Sequence, residues 1–149
     1  MIHPYSKEQQ LKSDSLPSKA KRSEFTTKQR KEVKRIYGDY CQICMNPHTQ
    51  IHHRKFRSGS GRNNPRNGAP LCHECHAFVH AHFEAAEELR TEASDHFGPY
   101  YYYDKYDCFF EALIDEPTDK AFEDFMEQEE RRALENLRVR NGGEGPERG

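Results

Sequence analysis

Two cysteine pairs, Cys41-Gln42-Ile43-Cys44 and Cys72-His73-Glu74-Cys75, constrain this chain more than anything else in it. Each is a Cys-x-x-Cys, the spacing at which two thiolates from one tight turn reach the same tetrahedral metal ion. Two such pairs make a closed, four-thiolate structural zinc site. The chain needs that staple: 34% of its 149 residues are hydrophobic and 32% charged, too little apolar material for a conventional core over the whole length. In a reducing compartment the pairs read as zinc ligands rather than disulfides, and Cys108 is left over as an ordinary thiol.

The first residues, Met1-Ile2-His3-Pro4-Tyr5-Ser6-Lys7-Glu8, lack the apolar stretch of a secretory signal, and no apolar run is long enough to span a bilayer. The expectation is a cytoplasmic protein without membrane contact. Its net charge of -2 hides a split: residues 1–66 carry 15 Lys and Arg against 5 Asp and Glu, whereas residues 67–149 carry 8 against 20. A basic half suits a polyanionic partner such as DNA, and an acidic half suits a protein partner or self-association.

Three segments are expected. Residues 1–24 are polar, include the basic run Lys19-Ala20-Lys21-Arg22, and read as a flexible arm. Residues 25–82 hold the cysteine pairs. Within them Thr26-Thr27-Lys28-Gln29 has capping-box spacing, and Val33, Ile36 and Tyr37 then recur at helical intervals until Gly38, which predicts a helix with Lys28, Arg30, Lys31, Lys34 and Arg35 facing outward. A strand is expected around Thr49 to Phe56, a loop from Ser58 to Asn67, and a helix starting near Cys75 and reaching about His82. Residues 83–149 form an acidic extension: a polar helix from Phe83 to Phe97, a tyrosine-rich stretch from Pro99 to Phe110 as strand or packed loop, a long helix from about Thr118 to Arg140, and a disordered tail. Phe122, Phe125, Met126, Leu134 and Leu137 fall near one face of the long helix. Tyr100 to Tyr103 are assigned to packing rather than to stacking on bases.

Between and after the cysteines lie further ligand types: the pair His52-His53, Asn67, and His76 with His80. Residues four apart on a helix share a face, so His76 and His80 can hold one cation, which His52 can join from the strand. Three protein ligands leave positions open for phosphate and water, as a catalytic metal needs.

With both cysteine pairs, the His-His, the Asn five residues before Cys72, the His directly after Cys75 and His80 one turn on, the stretch from about residue 25 to 82 resembles the HNH endonuclease family. That resemblance implies an α+β fold: a small, zinc-stabilised ββα-metal (HNH, treble-clef-like) module, flanked by an N-terminal helix and an acidic, mainly helical C-terminal extension. It implies hydrolysis of DNA phosphodiester bonds. Matched position by position, His53 would be the general base, Asn67 would fix the loop and orient that histidine, and His52, His76 and His80 would hold a catalytic divalent metal, Mg2+, Mn2+, Ni2+ or Zn2+. Cys41, Cys44, Cys72 and Cys75 would hold the structural Zn2+.

Asn63 and Asn64 share the loop with Asn67, and spacing to Cys72 is what selects Asn67. Arg54, Arg57 and Arg62 are all candidates for the DNA phosphate, and the residues do not choose among them. His48, His73, His82 and His96 match no motif position and are assigned to the surface. Many relatives place a proline shortly after the His-His and a Gly-Gly in the loop, where this chain has Phe56 and Ser58-Gly59-Ser60-Gly61. The family occurs in phages, mobile elements and restriction systems. The competing reading is a non-catalytic zinc module that binds nucleic acid or a protein.

Overall fold

Local signals account for the first long helix. Thr26 Oγ1 accepts from the Gln29 backbone N–H and Gln29 Oε1 accepts from the Thr26 N–H, a complete capping box, and Gly38 ends the helix at φ 96°. The computed structural model describes residues 16–47 and 49–142, so the expectations for residues 1–15, His48 and the last residues from 143 lie outside the described part.

In chain order the elements are α1 (Lys19–Ser23), α2 (Thr27–Tyr37), β1 (Gln50–His53), β2 (Gly68–Leu71), α3 (His73–Ala81), α4 (Phe83–Phe97), α5 (Lys105–Phe110) and α6 (Asp119–Leu137). The strands form an antiparallel pair in which Gln50 faces Leu71 and His53 faces Gly68. The result is a mixed fold of helices and one two-stranded sheet carrying a four-cysteine cluster, compatible with a small zinc module. No helix among the described residues is long and apolar enough to cross a membrane.

α2 lies directly on the sheet. A β-carbon at Gly68 would sit 2.6 Å from Val33 Cγ2 and 3.0 Å from Ile51 Cγ2, so this glycine is what permits the approach. One apolar cluster joins Cys41, Ala69, Leu71, Cys72 and Val79 to Ala86 and Leu89 of α4. A second gathers Cys108, Phe109, Ile114, Phe122 and Met126, with Tyr100, Tyr103 and Tyr106 against it. The tyrosines therefore pack, as expected, and Cys108 is a buried thiol.

Several expectations change. Residues 19–23, assigned to a flexible arm, form α1, with Ser18 as N-cap accepting from Lys21 N–H. Arg22 ties this helix to Asp104 and Asp107, partners too distant in sequence for local patterning to reveal. The tyrosine-rich stretch contains no strand; it turns into α5, whose capping box is built from Asp104 and Asp107. β1 is shorter than the expected strand. On α6 the inward stripe runs through Phe122, Met126, Glu129 and Ala133, while Leu134 is exposed. Glu129 takes the inward place because its carboxylate pairs with Arg132 at 2.9 Å and its side chain packs against Gly98, where a β-carbon would come within 3.3 Å.

Candidate metal centres

The first cysteine pair sits in a closed turn. Cys41 N–H donates to Asn46 O and Met45 N–H to Cys41 O, with Met45 in the left-handed region at φ 70°. The N–H groups of Ile43 and Cys44 both point at Cys41 Sγ, at 3.5 Å. Burial would raise the Cys41 thiol, but these backbone donors, with that of Cys72, bring it down to about 6. Cys72 is the N-cap of α3, its sulfur accepting from Cys75 N–H at 3.4 Å. Gln42 N–H donates to Pro70 O and fastens the turn to β2.

All four Sγ atoms lie within 4.8 Å of one another, and Cys44 and Cys72 are 3.6 Å apart. Sulfurs at the corners of a tetrahedron with ~2.3 Å arms are separated by about 3.8 Å. The quartet therefore has the composition and spacing to bind a metal ion such as zinc.

A second cluster forms across β1 and α3. Alternation along β1 buries His52 on one face and leaves His53 on the other, and Arg54, just past the strand end, is buried as well. His52 meets His76 and His80, one helical turn apart on α3, and the ring nitrogens available for ligation lie within 4.8 Å of one another. His76 Nε2 and His80 Nε2 are 3.1 Å apart. Both ring nitrogens of His52 are buried without a protein hydrogen-bond partner. A buried polar atom left so is costly unless a further group meets it. Burial, reinforced by His76 and His80, pushes the His52 pKa down to about 3, so the ring is neutral and its lone pair free to ligate. Phe56 walls the cluster, stacked on His80 at 4.9 Å and edge-on to His52 at 5.6 Å. His80 is exposed, which leaves the cluster open on that side.

His53 points away from these three. Its Nε2 lies 2.5 Å from Ser23 O, and Phe25 packs against its ring at 4.6 Å. A carbonyl only accepts, so Nε2 carries the hydrogen and Nδ1 keeps the lone pair. Burial lowers the His53 pKa, the Ser23 carbonyl counters it, and Arg57, Arg30 and His76 lower it further.

Asn67 is fully buried. Its Oδ1 accepts from Lys55 N–H at 2.8 Å, and its Nδ2 donates to Lys55 O and Arg62 O at 3.2 and 3.1 Å. It pins the two ends of the loop after β1 rather than the His53 ring. Asn63 instead holds the end of α1, donating from its backbone to Arg22 O and from Nδ2 to Glu24 O. Asn64 caps the turn before β2 and reaches Tyr103 O.

The three candidate phosphate arginines separate cleanly. Arg54 is buried: Nε donates to Gly68 O, Nη1 to Leu89 O and Glu92, and its guanidinium lies 4.0 Å from the centre of the Tyr37 ring. It is unavailable to a phosphate, because just past the end of β1, where its N–H donates to Asn67 O, its side chain is turned inward and fully buried. Arg62 is engaged by both oxygens of Asp107. Arg57 is exposed, and its Nε donates to Ser23 Oγ at 3.1 Å. His73, His82 and His96 are exposed, as expected.

Ser23, Phe25 and Phe56 escaped the sequence reading as site residues. Ser23 acts through its carbonyl, which no side-chain pattern can announce, although Pro17-Ser18 ahead of a charged run carried a weak helix-start signal. Compared with family models, with characterised proteins and with solved structures, the chain matches none.

Proposed function

We propose that the protein is a metal-dependent endonuclease of the HNH type, hydrolysing DNA phosphodiester bonds in a ββα-metal element formed by β1, β2 and α3. The observation that carries this reading is the pairing of two unlike histidine environments on consecutive residues. His52 is buried with no partner for its ring nitrogens and offers one of them to a cluster with His76 and His80, while His53 is fixed by Ser23 O with Nδ1 free to take a proton.

His52, His76 and His80 would hold the divalent cation, a neutral imidazole set suited to Zn2+ or Ni2+ more than to Mg2+ or Mn2+, which favour oxygen ligands. When bound, such an ion neutralises charge on the phosphoryl and leaving oxygens. The residues of the chain do the rest. His53 Nδ1 takes the proton of the attacking water as the new phosphorus–oxygen bond forms and the bond to the 3′ oxygen breaks, with solvent supplying the proton to that leaving group. Arg57, exposed and close enough to lower the His53 pKa, would hold the phosphate, and Arg30 on α2 stands in the same relation to the ring. The outward positions Lys28, Lys31, Lys34 and Arg35 would extend a basic track for the duplex backbone. The four cysteines would hold a structural zinc.

The test is cleavage of supercoiled plasmid by zinc-loaded protein, stripped of other metals and supplied in turn with Mg2+, Mn2+ or Ni2+, beside His53→Ala. Metal-dependent nicking that the variant loses, on the order of 100-fold or more, is the expected result. Folded, zinc-loaded protein that binds DNA and never cuts it would favour the non-catalytic zinc module instead.

A further inference from the structure

The group that orients His53 does not belong to the two strands or to α3. It is the carbonyl of Ser23, the last residue of α1. A five-residue helix does not hold itself together in water. What holds this one is side-chain chemistry from elsewhere. Arg22 grips Asp104 with two hydrogen bonds, 2.6 and 2.9 Å, and Asp107 with a third at 2.9 Å. Its side chain is 9% exposed, so the pair is shielded from solvent on the arginine side. Tyr106 lies under the guanidinium at 5.4 Å, and Asn63 secures the backbone on either side of Ser23 through Arg22 O and Glu24 O.

One of these carboxylates, that of Asp107, also reaches the other side of the site. Asp107 also binds Arg62 through Nε and Nη2 at 2.9 and 3.1 Å, and the Arg62 carbonyl accepts from Asn67 Nδ2. Arg62 N–H in turn donates to Tyr102 O, and Asn64 Nδ2 to Tyr103 O. Asp107 is thus anchored twice over, once beside Asp104 toward the carbonyl that fixes His53 and once toward the loop that follows it.

We propose that the Asp104–Asp107 pair is a positioning device for His53. It acts through Arg22, which sets α1 and thereby the Ser23 carbonyl, so that this part of the acidic extension is a working component of the site rather than a free surface for a partner. The proposal rests on the nuclease reading for its kinetic consequence. Its structural consequence, one imidazole tautomer at His53, stands apart from that reading. The acidic residues concerned are spent internally: both carboxylates face arginines of the basic half.

The test uses the full chain, zinc-loaded and without added divalent metal, with imidazole nitrogens labelled and the sample held at a pH where the ring is neutral. In the native protein His53 Nε2 gives a protonated-nitrogen resonance with a slowly exchanging hydrogen. In Arg22→Met that hydrogen exchanges fast and the Nδ1–H tautomer appears, while zinc content and the resonances of His52, His76 and His80 stay put. In Arg22→Lys, which keeps one charge but loses the fork, the change is partial. With DNA and metal present, Arg22→Met lowers kcat on the order of 10- to 100-fold with KM unchanged. If Arg22→Met loses zinc or its cooperative melt, Asn63→Ala, which removes only the Nδ2 contacts to the end of α1, takes its place with the same readouts. A variant that keeps the native His53 tautomer and its full kcat overturns the proposal. Native protein that does not cut DNA while the tautomer shift still follows Arg22 overturns the nuclease reading alone.

Discussion

Gly61 lies against the backbone of Lys55: a β-carbon there would fall 1.7 Å from the Lys55 carbonyl oxygen. That oxygen already accepts from Asn67 Nδ2, and Gly61 N–H itself donates to Phe56 O. Gly61→Ala therefore forces the backbone apart where Asn67 holds it. The expected loss is about 3 kcal/mol or more, since the clash is with main chain and no flexible side chain can yield. Thermal or denaturant unfolding checks it, and a variant within about 0.5 kcal/mol of wild type would contradict the closeness of the two segments.

Arg54 connects β2, α2 and α4, so its removal is a stability event. Arg54→Met leaves the Gly68 carbonyl without its side-chain donor, takes a second donor from the helical Leu89 carbonyl, and deletes the contact with Tyr37. Each buried acceptor left unmade costs about 1–3 kcal/mol, while the pair with the half-exposed Glu92 adds little. A total of about 3 kcal/mol is expected, with DNA affinity unchanged among the folded molecules. Unfolding curves and a binding isotherm measured on the same preparation separate the two effects.

Metal removal should distinguish the cysteines. Cys41→Ser, or a strong chelator, takes away a ligand set of the kind that supplies on the order of 10 kcal/mol to folding, and the residues around β1, β2 and α3 should lose their cooperative melt. Cys108→Ala should retain full zinc and cost only about 1 kcal/mol, because Cys108 packs as a small apolar side chain among Phe109, Phe122 and Met126. Zinc content by elemental analysis alongside the melt decides it; zinc lost with Cys108→Ala would be the wrong outcome.

Arg57 and Arg30 should carry part of the salt dependence of DNA binding. Replacing either by Ala is expected to reduce the slope of log K against log salt by about one, uniformly across sequences. Arg62→Ala, whose guanidinium is already engaged by Asp107, should leave that slope alone. Titrations at several salt concentrations give the answer directly.

What could be foreseen was local. The Thr26/Gln29 capping box, the Gly38 stop, the helix from Phe83 to Phe97, the cysteine spacing and the one-turn offset of His76 and His80 all lie within a few residues of the structure they specify. Alternation along β1 likewise separated His52 from His53. What could not be foreseen depended on distant partners. α1 exists because Arg22 finds Asp104, and Arg54 looked like a phosphate ligand because a strand residue's neighbours across the fold are invisible in sequence. α5 was a nearer miss: Asp104 and Asp107 have capping-box spacing, but with an aspartate at the position usually read for Glu or Gln. Glu129 joins the buried stripe of α6 beside Gly98, and Leu134, next to the buried Ala133, falls off that stripe.

Gly68 keeps the reading frame of the two strands. With only four residues in each, β1 and β2 have few rungs to resist slippage, and a shift of one residue would turn every side chain to the opposite face. His52 and His53 would then trade places, the one losing His76 and His80, the other losing Ser23. Val33 guards against this by filling the space that any residue larger than glycine at position 68 would claim. A hydrogen in place of a methyl group thus decides which of two adjacent, chemically identical imidazoles faces the other histidines.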